Sequence, residues 1–136
     1  MSRSAEISLA FGGEERSFRL PIGRLRPLQE KVDAGPMELL QRFAAGTWRV
    51  DDLRETILQG LIGGGLDQAK ASRLVIDYFD DQPLQPFVTL AQAIIMAAVV
   101  GAEDEELGEP RGEEATSSPS PKASSGSAES TEQPAS

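Results

Sequence analysis

The chain has 136 residues with no cysteine and no histidine, and 22 acidic against 13 basic residues give it a formal net charge of −9. The usual zinc, haem and iron–sulfur sites therefore have no ligands, disulfides are excluded, and neither a Ser-His-Asp nor a Cys-His nucleophile can be assembled. The charge also argues against binding nucleic acid through a broadly basic surface, since phosphate neutralisation needs an excess of Lys and Arg.

The first residues, Met1 to Glu6, lack the apolar run of a signal peptide. The longest uninterrupted apolar run, Ala93 to Val100, has 8 residues. A membrane-spanning helix needs roughly 20. The expectation is a soluble, cytoplasmic protein with no membrane partner.

Glu6 to Leu20 reads as a β-hairpin. Ile7, Leu9 and Phe11 alternate with polar or small residues, Gly12-Gly13 is a strong turn signal, and Phe18 and Leu20 resume the alternation before Pro21. Two strands alone are barely stable in water, so the hairpin must pack on something. The rest of the ordered region reads as about five short helices. The first runs from about Gly23 to Asp33 with Leu25, Leu28 and Val32 on one face, and Gly35 is expected to stop it. The second starts at Pro36, places Leu39, Leu40, Phe43 and Ala44 on one face, and ends at Gly46. The third is expected to be capped by Asp51 or Asp52, with Glu55 completing a capping box, and to carry a stripe from Leu53 to Ile62. Asp67 caps the fourth, whose stripe is Ala71, Leu74, Val75, Tyr78 and Phe79. The fifth begins near Leu84 and ends at Gly101, and it is apolar almost all round. The fold class is therefore α+β, mostly helical, over residues 1–101.

Residues 102–136 form a second region. Leu107 is its single large apolar side chain, and nine acids there face two bases. Such a segment cannot bury enough apolar surface to offset its ordering entropy, so a disordered acidic tail is expected.

Few residues suggest chemistry. Gly60-Leu61-Ile62-Gly63-Gly64-Gly65 looks superficially like a phosphate loop, but Leu66-Asp67 follows where a Walker lysine and hydroxyl should stand. Gly63, Gly64 and Gly65 are better read as a structural turn whose positive φ angles call for glycine. A helix-turn-helix reading of the same stretch would place Asp67 and Asp77 against phosphates. The acid pairs at Asp51-Asp52 and Asp80-Asp81 fit caps or solvated loops. Trp48 is expected to lid the core, its N–H bonded to backbone. The best interaction candidate is the last helix, through Phe87, Leu90, Ile94 and Ile95, with a plain core helix as the competing reading. No cofactor, metal site, small-molecule substrate or catalytic set is expected, so an interaction protein fits better than an enzyme.

Residues 5–101 resemble the gene transfer agent family of phage tail assembly proteins. The resemblance rests on Glu6-Ile7-Ser8-Leu9, Phe18-Arg19-Leu20-Pro21-Ile22-Gly23, Glu38-Leu39-Leu40, Gly46-Thr47-Trp48-Arg49-Val50-Asp51-Asp52, the Gly60–Gly65 stretch, and Ala71 with Leu74-Val75. The family is placed with tail assembly chaperones and has also been labelled tail tube. The resemblance implies a non-enzymatic chaperone that binds the tape measure protein, and other tail proteins as partners. Its alternative is a structural component of the tail tube, and a small regulatory or DNA-binding adaptor is a third class. Pairing of the hairpin with a second copy is a further possibility.

Overall fold

The computed structural model describes residues 3–103. The predicted acidic tail lies outside the described residues except for its first two positions. The element order is β1 (Arg3–Ser4), β2 (Glu6–Phe11), β3 (Glu14–Arg19), α1 (Ile22–Val32), α2 (Pro36–Ala45), α3 (Val50–Gly63), α4 (Gln68–Tyr78), α5 (Pro86–Val100) and β4 (Ala102–Glu103). An antiparallel hairpin followed by five helices is the architecture that the sequence pattern predicts.

Strands β2 and β3 pair in the register Phe11↔Glu14 through Glu6↔Arg19. That leaves a two-residue loop, in which Gly12 and Gly13 both have positive φ, 67° and 84°. Both central residues at φ > 0 define the type I′ turn that suits the right-handed twist of a hairpin. The strands place Phe11 and Phe18 inward with their rings edge-to-face at 6.5 Å. These rings join Leu28, Leu39, Leu53, Ile57, Leu61, Val75, Phe79, Ile94 and Ile95 in one core.

Most helix ends follow the expected signals, and two do not. Asp67 caps α4 by accepting from the Ala69 and Lys70 backbone N–H groups at 3.1 and 3.3 Å. Gly46 ends α2 in the left-handed conformation. However, α1 is closed by Asp33, a non-glycine residue at φ 55°, and Gly35 instead precedes α2 with an ordinary negative φ. A short polar side chain tolerates the left-handed region better than other non-glycine residues. Helix α3 starts two or three residues earlier than predicted, with Arg49 at the cap position. Asp52 is thus the third helical residue, and its Oδ2 accepts the Arg49 backbone N–H at 2.8 Å. Glu55 is buried rather than part of a cap.

The glycine run fills a different role from the expected one. Only Gly65 has a positive φ, 111°. Gly63 and Gly64 are needed for space. A Cβ on Gly63 would lie 1.9 Å from the Arg19 carbonyl oxygen, and one on Gly64 would lie 2.1 Å from that of Ser17. The last turn of α3 therefore lies directly on the β3 main chain, closer than any side chain allows.

Candidate partner-binding groove

Helix α5 carries no charged residue. A uniformly apolar helix gives no periodic signal for its outward face, and the structure separates the four residues singled out on it. Ile94 and Ile95 are 1% and 0% exposed and belong to the core. Both side chains lie inside the fold and not at the partner-facing surface expected of them. Phe87 and Leu90, one turn apart near the start of the helix, are half-buried at its surface.

Phe87 sits in an aromatic cluster. Its ring lies 4.8 Å from that of Phe79, tilted by 48°, and 6.1 Å from that of Phe11, near edge-on. Tyr78, the last residue of α4, packs edge-on against Phe11 at 6.4 Å and remains 46% exposed. Its ring also approaches the hairpin tip closely. A Cβ on Gly12 would come within 3.0 Å of it, so a glycine there gives the tyrosine its seat. The hairpin tip, the end of α4 and the start of α5 thus frame an open groove of about 430 Å³. Its lining includes Phe11, Gly13, Tyr78, Gln82, Phe87 and Leu90. The sequence pointed to Phe87 and Leu90. It did not point to Tyr78 or the glycine tip, which join them only through the tertiary fold.

Charged residues are close in sequence to the α4–α5 part of the lining. Arg54 holds Asp80 through two hydrogen bonds, Nε to Oδ1 at 2.9 Å and Nη2 to Oδ2 at 3.1 Å. This bonding, with the attraction between the two charges, keeps the Asp80 carboxyl below the ordinary carboxylate range and raises the Arg54 guanidinium above its own. Arg73 similarly pairs with Asp77 at 3.0 Å along α4, which raises its guanidinium pKa further.

A second polar cluster is structural. Arg42 on α2 and Asp52 on α3 form an ion pair at 2.8 Å, with side chains 9% and 1% exposed. Arg42 also donates to the Val32 carbonyl at 3.3 Å and to Glu38 at 3.2 Å, and the Thr56 hydroxyl donates to the Asp52 carbonyl at 2.6 Å. One buried carboxylate and one guanidinium thereby tie α1, α2 and α3 together. The Gly60–Gly65 stretch offers no phosphate cradle, because its N–H groups are already used. Those of Gly64, Gly65 and Leu66 donate to the Gly60, Ile62 and Leu61 carbonyls. Trp48 is half-buried against the core, as expected of a lid. The indole–backbone hydrogen bond expected for it is not formed among the described residues.

Residues 4–101 match the family described as phage tail tube protein, GTA-gp10. The chain belongs to this family. Neither the curated proteins nor the solved structures give a significant match. As a member of a gene transfer agent tail family, the chain has other tail proteins as its natural partners. The groove, the buried Arg42–Asp52 pair and the Gly63–Gly64 contact all fall inside the matched region. Among the described residues no helix is long and apolar enough to cross a membrane.

Proposed function

We propose that the chain is a non-enzymatic tail assembly chaperone that binds the tape measure protein and keeps it soluble in the cytoplasm until tube subunits surround it. The supporting observation is the architecture itself. Subunits that stack into tubes commonly continue β-rich barrels or sandwiches. Here the body is helical, and its hairpin is two strands of six residues each. A long helical tape measure exposes apolar faces before assembly and would aggregate. The groove beside Phe87 and Leu90 is a suitable place to cover such a face by helix-in-groove contact. The chain's net charge of −9 would keep the complex soluble. In this reading residues 1–101 form the binding domain and residues 102–136 an acidic appendage.

Co-expression with a tape measure protein of the same particle tests this. The tape measure protein should move from the pellet to the soluble fraction and co-purify with this chain. It should then be found in finished particles without it. A structural tube component is the second reading, favoured by the family's own description. Stoichiometric retention of the chain in purified particles would establish that reading and refute the chaperone.

A further inference from the structure

We infer that the groove receives a basic amphipathic helix: an apolar face flanked by lysines or arginines. This deepens the chaperone reading and rests on it for the partner's identity, though the groove's chemistry stands independently.

The floor of the groove is uncharged, being built from Phe11, Tyr78, Gln82, Phe87 and Leu90 with the two tip glycines. Its polar side chains, Gln82 and Tyr78, bring no charge to fix a small ionic ligand. Phe87 and Leu90 stand at i and i+3 on α5, the spacing that meets i, i+3 and i+4 anchors of a second helix. At the tip, a Cβ on Gly13 would meet nothing within 4 Å, so a partner's backbone can approach closely there.

The acids next to the lining in sequence argue for the partner's charge. Glu14, Glu15, Asp77, Asp80 and Asp81 each lie within two residues of a lining position. Three of these acids already have arginine partners: Glu14 has Arg16 at 3.7 Å, Asp77 has Arg73, and Asp80 has Arg54. Glu15 and Asp81 are exposed and in no ion pair among the described residues. A helix with acidic flanks would set carboxylate against carboxylate. One with basic flanks supplies the missing counter-charges and is steered toward the rim.

The test uses two synthetic 18-residue helical peptides, roughly five turns, with identical Leu/Ala faces and either Lys or Glu flanks. Each is titrated into the isotopically labelled full-length chain. The Lys peptide should shift the amide resonances of Gly12, Gly13, Gln82 and Leu90. It should bind about tenfold or more tightly than the Glu peptide, and weaken as salt rises. Tyr78→Asp should lower its affinity by at least about tenfold. Gln82→Lys, a change at an exposed loop position, should lower it several-fold with an unchanged circular dichroism spectrum. Equal binding of both peptides overturns the inference. So does binding that leaves the groove resonances in place, as attachment to the acidic tail would. The tape measure protein separates the two readings. If it co-purifies equally well with the Tyr78→Asp and Gln82→Lys chains, the chaperone stands and the groove falls. If the Lys peptide fills the groove but the tape measure never co-purifies, the groove stands and the chaperone falls.

Discussion

Replacing Gly64 with alanine should destabilise the domain by about 3 kcal/mol, a large share of the roughly 5–15 kcal/mol typical of a domain. The added Cβ would sit 2.1 Å from the Ser17 carbonyl oxygen. A carbon tolerates such an oxygen at about 3.3 Å, so α3 and β3 must part by about 1.2 Å. They cannot part locally. One turn back, a Cβ on Gly60 would already meet the Phe18 ring at 3.1 Å and Ile94 at 3.2 Å, so the same helix face is interlocked with the core. Separation therefore loosens Phe18 from its fully buried seat. Backbone conformation is not the cause, since Gly64 has φ −78°, which alanine adopts freely. Gly23 supplies the control. It lies in α1 with nothing within 4 Å of its missing Cβ. Gly23→Ala should stabilise by about 0.5–1 kcal/mol through helix propensity and reduced unfolded-state entropy. Urea unfolding followed by far-ultraviolet circular dichroism and Trp48 fluorescence measures both. A Gly64→Ala chain within about 1 kcal/mol of wild type would refute the steric argument.

The buried pair gives a second prediction. Arg42→Ala strands Asp52 in the interior and should cost about 3–5 kcal/mol, whereas the Arg42→Ala/Asp52→Ala double variant should cost less than the two single losses added, as a thermal-unfolding cycle will measure. Ile94→Ala should cost about 2–5 kcal/mol by calorimetry, because this side chain is interior; a near-neutral result would return it to the surface. Asp80 predicts a pH dependence. Its pKa is lowered by Arg54, so the pair's contribution is present above the ordinary aspartate pKa and lost as pH falls through the lowered one. Asp80→Asn should be less stable than wild type near neutrality, by under about 1 kcal/mol for so exposed a pair, and the difference should close in strong acid.

The hairpin was legible because its signals are local. Gly12-Gly13 and the alternation around Phe11 and Phe18 need no knowledge of distant residues. The same holds for Asp67 and Gly46, which mark helix ends through their own backbone preferences. What the sequence concealed depends on tertiary contact. Arg42 and Asp52 resemble ordinary surface charges until two helices bring them together. Gly63 and Gly64 look like turn glycines, yet they serve the approach of a strand more than 40 positions earlier in the chain. The direction of α5 could not be read at all. With apolar side chains on every side, periodicity does not separate Leu90, at the surface, from Ile94 and Ile95, inside. For the groove, sequence reasoning could supply Phe87 and Leu90 but not Tyr78, because no linear pattern brings the end of α4 to the tip of a hairpin.

The contact between α3 and β3 also bears on how copies of this chain could join. The helix end lies along the outer strand of the hairpin where another strand would have to sit. The β2–β3 hairpin is left with at most one edge for pairing. A subunit with one such joint can link to one other, and growth then stops at two. A ring needs two joints on every member, so edge pairing of this hairpin alone cannot close one.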